Sequence, residues 1–203
     1  VTDEYRQLTL ADLEPMAQVL AQSFEEDPLV SFILPNASTR VKTVAKFFRA
    51  MGRLNIRAGN AFGIGKPLQG AAMWIFPGKP EASATPKDLL TFLPLLFSSY
   101  IVGAQKARAV FDRIEANHKN HASGPHYYLD NLGVLASARG KGLSSKLIRP
   151  FLERADSQKV VAYTDTVTKS NVPLYEHFGF DLVDENPVNG TGITVYALKR
   201  SPR

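Results

Sequence analysis

The spacing of apolar positions changes several times along the chain, and each change predicts an element. Tyr5, Leu8 and Leu10 mark a first strand over residues 4–9. Leu13, Met16, Ala17, Leu20 and Phe24 then recur at helical spacing, with Thr9 or Asp12 placed to cap the helix. Asp27-Pro28 punctuates, and a short apolar segment over 29–34 ends at Pro35. Residues 39–57 form the next predicted helix, with Val44, Phe47, Phe48, Met51 and Leu54 as its core stripe. Residues 61–65 and 70–76 read as a hairpin in which Trp74 is expected in the core.

After Gly78 the character changes. Residues 80–86 are a loop, and 89–104 are almost wholly apolar and uncharged, with Pro94 inside. A membrane-spanning helix needs about 20 apolar residues, so this run is too short and too broken. Two helices are predicted here, the second over about 99–119. They suit a cover over a pocket, a dimer surface or simple core packing, with Phe92, Phe97 and Tyr100 as candidate pocket wall. Regular patterning then resumes: a strand over 127–134, a turn through Arg139-Gly140-Lys141-Gly142, and a helix over 142–156 that carries Pro150. A strand over 159–165, a short helix over 171–178 stopped at Gly179, and strands over 180–184 and 192–198 complete the chain.

Composition narrows the class. A chain of 203 residues, 44% hydrophobic and 21% charged, fits a single globular domain, 1–203, with a helical insertion over about 79–124. It has no cysteine, which excludes disulfides, thiolate metal sites and a cysteine nucleophile. With no recognisable export signal, a cytoplasmic protein is expected. His118 and His121 share a helical spacing but have no third ligand, so solvent-facing histidines and no metal are expected. The net charge of +5 is spread without a dense basic run, which argues against nucleic acid and suits a small polyanion. The basic residues from Lys199 to Arg203 read as a frayed tail.

The chemistry concentrates after the strand over 127–134. A tight glycine turn at a helix start leaves backbone N–H groups pointing outward, at the positive end of the helix dipole and beside Arg139, Lys141 and Lys146. Such a loop binds phosphate or pyrophosphate, and its glycines let the backbone approach the ligand. Walker A spacing fails twice, because Leu135 stands where the first glycine belongs and Gly142 follows Lys141. A dinucleotide fingerprint is weak, since Ser145 replaces its third glycine. The pattern (Gln/Arg)-x-x-Gly-x-(Gly/Ala) fits as Arg139 to Ser144 and resembles the acyl-CoA pyrophosphate loop of the GNAT N-acyltransferases.

A second segment, Asn171-Val172-Pro173-Leu174-Tyr175-Glu176-His177-Phe178-Gly179-Phe180, resembles the GNAT stretch in which an asparagine and a tyrosine flank coenzyme A. Three further stretches resemble the puromycin N-acetyltransferase subgroup: Leu8 to Leu13 with Ser23-Phe24, Asp27-Pro28 and Leu34-Pro35; Ala71 to Gly78; and Pro150. The resemblance implies an α/β (α+β) fold with a mixed, mostly antiparallel central sheet. That sheet is splayed at its central strand and flanked by helices, with acyl-CoA in the gap. It also implies a helical insertion before that strand and first helices beside the acceptor.

The resemblance further implies cofactor contacts at Leu132, Gly133, Val134, Arg139, Gly140, Lys141, Gly142, Leu143, Ser144, Ser145, Asn171 and Tyr175, with acetyl-CoA as cosubstrate. Ser144 departs from the family's glycine or alanine. Tyr175 is the implied acid for the leaving thiolate, and Asp130 or Asp165 the candidate base, alone or through water. Strand alternation puts Asp130 on the face of Tyr128 and Leu132. The expected activity is acetyl transfer to a small-molecule primary amine by direct attack, in a monomer or homodimer. The alternatives are peptide or protein acetylation and a non-catalytic acyl-CoA sensor.

Overall fold

The computed structural model describes residues 4–78, 85, 90, 92–93 and 99–203. Seven strands form one sheet in the order β1-β2-β3-β4-β5-β7-β6. They are β1 (Arg6–Gln7), β2 (Ala61–Ile64), β3 (Gly70–Ile75), β4 (His126–Val134), β5 (Val161–Thr166), β6 (Asp181–Val188) and β7 (Ile193–Arg200). Every pairing is antiparallel except β4 with β5, which is the mixed sheet expected.

Helices α1 (Leu13–Ser23) and α3 (Ala37–Arg57) cover the β2–β4 half of one face, joined by α2 (Pro28–Ile33). Gly52 lets α1 and α3 pack closely, since a Cβ there would overlap the Met16 side chain. On the opposite face, α6 (Leu143–Gln158) buries Leu147, Ile148, Phe151 and Leu152 against Phe62, Trp74 and Tyr127. Trp74 is fully buried, as predicted, and its indole N–H donates to the Leu147 carbonyl at 3.1 Å.

The predicted helix over 99–119 divides at Ala107 into α4 (Ser99–Lys106) and α5 (Arg108–His121). The division lets the two pieces serve different layers: Tyr100 packs with the α1–α3 core, whereas Val110 and Ile114 pack on Val188, Ile193 and Val195. Gly103 brings α4 against the end of α2, where a Cβ would lie 2.0 Å from the Ile33 carbonyl oxygen. Phe97 and most of the first predicted insertion helix lie outside the described residues.

Three readings of the sequence change. The C-terminus is not frayed. β7 runs to Arg200, whose buried guanidinium bonds Asp156 twice at 2.8 Å, while the Arg203 amide bonds Asp156 at 2.7 Å. His118 does not face solvent: it stacks on Tyr163 at 5.0 Å between ring centroids and bonds His126 at 2.7 Å. The first strand shortens to two residues, because only Arg6 and Gln7 find ladder partners on β2.

A β-bulge sits at the centre. β3 pairs Leu129 with Trp74 and then Asn131 with Met73, so Asp130 is an extra residue in β4. Tyr127 and Leu129 face α6 before the bulge, and Leu132 and Val134 face it afterwards. Tyr128 faces the other way, with Tyr163 and Ala197. Simple alternation is thereby inverted, and Tyr128 and Leu132 lie on opposite faces. Pairing of β4 with β5 stops one residue before the bulge, at Leu129↔Thr164, although both strands continue. The sheet therefore splays here.

Candidate active site

Two hollows meet in the splay. The first is a groove of about 390 Å³ bounded by Leu132, Gly133, Val134, Arg139 and Ser144 on one side. Ser23 at the end of α1 and Phe24, Glu26 and Asp27 in the turn into α2 close it on another side, and Thr168, Ser170, Asn171, Leu174 and Tyr175 from beyond β5. The second is a cavity of about 270 Å³ between the sheet, α2, α3, α4 and α5. Phe24, Asp27, Leu132, Asn171 and Tyr175 line both hollows and so form their junction.

The groove's glycine turn explains its own sequence. Gly140 and Gly142 adopt φ of 77° and 72°, the left-handed region in which other residues are strained. A Cβ at either would meet nothing within 4 Å, so the glycines are there for the backbone and for the open space beside it. Gly142 begins α6 without a side-chain cap. Among the described residues, the amides of 140–145 have no protein acceptor. The uncapped N-terminus of α6 thus reaches the groove at Ser144, with free amides and the positive end of the helix dipole, a fit for an anionic phosphate at about 0.3–1 kcal/mol from the dipole alone.

The predicted cofactor residues divide by role. Arg139, Ser144 and Asn171 line the groove, with Asn171 Nδ2 donating to Thr166 Oγ1 at 3.4 Å. Leu143 is buried in the core and offers only its amide. The Ser145 hydroxyl accepts from Arg149 Nε at 2.8 Å, one turn on. Lys141 is exposed beside the loop rather than lining the groove. Gly133 serves packing: a Cβ there would come within 2.8 Å of Ser23, so its absence lets α1 lie on β4 at the groove edge.

The cavity is apolar with an acidic end. Phe24, Phe47, Phe48, Met51 and Tyr100 supply apolar wall, and Phe47 stacks on Tyr100 at 5.2 Å and 22°. Of the three rings proposed as pocket wall, Tyr100 lines the cavity. Phe92 is half-buried and is not among the lining residues. Asp130, Asp165 and Asp27 all reach the cavity, and among the described residues no lysine, arginine or histidine lines it.

Burial drives the electrostatics at this end. It raises the Asp165 carboxyl to about 7, against the Tyr128 hydroxyl that donates to its Oδ2 at 2.9 Å, with Asp130 adding to the rise. Burial likewise raises Asp130 to about 6, opposed by the Asn131 amide at 2.7 Å. The Tyr175 phenol is pushed up to about 12, again mainly by burial; the Thr164 hydroxyl pulls it down and Asp165 adds to the rise. Two carboxyl groups poised near neutrality beside a phenol that stays protonated are placed for proton traffic.

Two further participants escaped the sequence reading. Asp27 caps α2 by accepting from the Leu29 and Val30 amides at 3.0 and 3.1 Å, and its other oxygen accepts from Thr168 Oγ1 at 3.2 Å. That bond joins the helical side to the β5 side over the junction. The Asp-Pro pair signalled a helix start but carried no sign of where the helix would point. Arg40 is the second: buried, it donates to the carbonyls of Leu34, Glu25 and Pro35 at 2.8, 3.0 and 3.2 Å. It fixes the segment that carries Phe24 and Asp27.

Comparison with known proteins places this architecture. The chain is 24% identical over 214 aligned positions to a probable serine/threonine-protein kinase of Dictyostelium discoideum, covering 97% of this chain and 23% of that protein. It is 24% identical over 190 positions to an uncharacterized N-acetyltransferase of Schizosaccharomyces pombe, covering 83% of this chain and 70% of that one. The chain thus spans under a quarter of the first relative's length. Among solved structures, one described as histone acetyltransferase HPA2 and related acetyltransferase, from Corynebacterium glutamicum, superposes with a TM-score of 0.66. It is 20% identical and covers 98% of this chain and 96% of its own. A Drosophila melanogaster polyamine N-acetyltransferase superposes with a TM-score of 0.62 at 14% identity, over 97% and 98% of the two chains. Residues 79–180, just over half of the 203, match the Acetyltransferase (GNAT) family, and they hold β4, its bulge, the glycine turn and Tyr175. The chain belongs to the GNAT acetyltransferase family.

Proposed function

We propose that the protein transfers an acetyl group from acetyl-CoA to the primary amine of a small molecule by direct attack, with both substrates bound together. The carrying observation is the junction: groove and cavity share Phe24, Asp27, Leu132, Asn171 and Tyr175, so a thioester in one meets an amine in the other. Relatives in solved structures are consistent with this, since the Drosophila protein is described as acting on polyamines. The modest size of the cavity, about 270 Å³, favours a small acceptor over a peptide. The segments that resemble the puromycin-acetyltransferase subgroup, Ser23-Phe24, Asp27-Pro28 and Leu34-Pro35, each contribute residues to one or both hollows, which supports that subgroup.

Acetyl-CoA supplies an activated thioester held by its phosphates at the glycine turn. The chain's residues manage charge. Asp165, with Asp130 beside it, takes a proton from the ammonium, directly or through water, because a carboxyl near 7 accepts one at neutral pH. As the nitrogen bonds to the carbonyl carbon and the carbon–sulfur bond breaks, the sulfur gains the electron pair and needs a proton. Tyr175 supplies a hydrogen bond and a proton there. At about 12 its phenol is a weaker acid than a thiol, so it is reprotonated at once from the attacking nitrogen.

Calorimetric titration with acetyl-CoA, CoA and NAD tests the groove, and the expected result is tight binding of the first two only. Tyr175→Phe should slow turnover about 100-fold or more while leaving CoA affinity within about threefold. An unchanged rate removes Tyr175 from the acid role.

A further inference from the structure

Asp165 lies one residue beyond the last ladder pair of β4 with β5, Leu129↔Thr164, where the sheet has opened. Tyr128 pairs with Tyr163, which by strand alternation shares a face with Asp165. From there the Tyr128 hydroxyl crosses the opening and donates to Asp165 Oδ2 at 2.9 Å. A side-chain bond thus joins the two strands where their backbones no longer pair.

Tyr128 is itself held by packing. It is 9% exposed, and its ring centroid lies 4.4 Å from that of His118 on α5 and 5.7 Å from that of Tyr163, two rings that stack on each other. His118 is tied in turn to His126 at the start of β4 at 2.7 Å. Asp130 is fixed differently, since its Oδ2 accepts from Asn131 Nδ2, on the next residue. Among the described residues, each carboxyl group takes one hydrogen bond from the protein, on Oδ2 and from a neutral donor, which leaves Oδ1 open. A neutral donor favours the carboxylate form without cancelling its charge.

We propose that Tyr128 is a positioning residue for acetyl transfer: its hydroxyl fixes Oδ2 of Asp165 and so aims Oδ1 at the acceptor amine. This rests on the transferase reading above, in which Asp165 is the base. The N–H bond of the amine breaks, the new O–H bond forms on Oδ1, and the phenol keeps its own proton, because burial and the neighbouring carboxylates hold it well above the usual tyrosine range. By bonding the charged form, the phenol also holds Asp165 lower than burial alone would leave it. The other titratable groups that face Asp165 are Asp130 from β4, Tyr163 beside it on β5, Tyr175 from α7 (Val172–His177) and Asp27 from the turn before α2, with His118 behind Tyr128. From α5 come the apolar Phe111 and Ile114, and β7 sets Ala197 opposite.

Tyr128→Phe removes the hydroxyl and keeps the packed ring. The test is the parent-to-variant ratio of kcat/KM with acetyl-CoA from pH 7 to 9, on whichever of propylamine, benzylamine and putrescine the parent turns over fastest. The amine titrates alike in both proteins and cancels, and His118, held below its usual value by burial and His126, is neutral over this range. Loss of the hydroxyl should raise Asp165 by about one pH unit or more, so the ratio should fall from about fivefold or more at pH 7 to within about twofold at pH 9. A ratio that does not vary with pH is what a merely structural role would give, and it overturns the proposal. Carbon-13 titration of the carboxyl groups, with no substrate present, separates the two levels. The Asp165 midpoint should stand about one pH unit or more higher in Tyr128→Phe, and an unmoved midpoint overturns the proposal. A moved midpoint in a protein that acetylates none of the three amines upholds the hold of Tyr128 on Asp165 and removes the transferase reading.

Discussion

The groove and the cavity share five residues yet are built on opposite principles. The groove presents backbone: left-handed glycines, uncapped amides and an exposed basic rim, all of it solvated and unstrained by buried charge. The cavity presents side chains, and its acids are held where water is scarce, so their charged forms are costly. A solvated anion site can be written in a short local motif. A buried acidic site has to be assembled from distant segments, and it is coupled to stability in a way the groove is not.

The largest expected effect breaks that contrast at its electrostatic source. Asp165 binds a proton in the folded protein up to about pH 7, whereas in the unfolded chain it loses it near 4. The native state therefore holds more protons across this window, and stability falls as pH rises through it, the penalty being complete above about 7. Binding a proton about a thousandfold more tightly when folded corresponds to about 4 kcal/mol, and partial solvation brings the expectation to about 3 kcal/mol. Asp130 acts in the same sense. His118, held below its usual value by burial and His126, acts oppositely, since it charges more readily when unfolded. Comparison of Asp165→Asn with the parent cancels the His118 contribution. Urea unfolding at steps from pH 5 to 8 should show the parent losing stability relative to the variant; parallel profiles would mean that Asp165 is ordinarily solvated.

A smaller effect tests whether the cavity depends on remote scaffolding while the groove does not. Arg40→Met leaves the Glu25, Leu34 and Pro35 carbonyls without their charged donor, at about 2 kcal/mol of stability. Because Arg40 anchors the segment bearing Phe24 and Asp27, KM for the amine should rise about tenfold. CoA affinity should change under threefold, because the glycine turn holds the phosphates. An equal loss on both substrates would show the two hollows to be one mechanical unit.

This difference in construction also decides what could be read from sequence. Gly140 and Gly142 were legible because the left-handed backbone of the turn demands glycine, whereas Asn171 and Tyr175 were singled out only by a short local segment that resembles the family. Helix stripes and strands were legible for the same reason, to within a few residues. The orientation of Asp130 was not, because one inserted residue in β4 inverts the alternation, and nothing at Leu129 to Asn131 announces a bulge. Asp27 meets Thr168 across 141 positions, and Arg40 joins Leu34, Pro35 and the more distant Glu25 only once the chain folds back over α2, so spacing along the chain assigns neither role. The tail was misread on the same ground: Arg200 is fixed by Asp156, 44 positions earlier.

The smallest effect sharpens the groove's side of the contrast by asking what Gly142 is for. Two demands coincide there, a φ of 72° and closeness to a ligand, and replacement by alanine would confound them. Asparagine separates the two, because it tolerates the left-handed region better than other side chains. The chain itself adopts that region at a non-glycine position, Lys159 with φ of 56° at the end of α6. Since a Cβ at 142 meets no protein atom within 4 Å, the cost of Gly142→Asn is the residual strain of a side chain at positive φ, about 1 kcal/mol of unfolding free energy. If the open space is where the pyrophosphate lies, acetyl-CoA affinity should nevertheless fall about tenfold, or about 1.4 kcal/mol, by calorimetry. Undiminished affinity would assign the glycine to backbone conformation alone and leave the anion to the amides of residues 143–145.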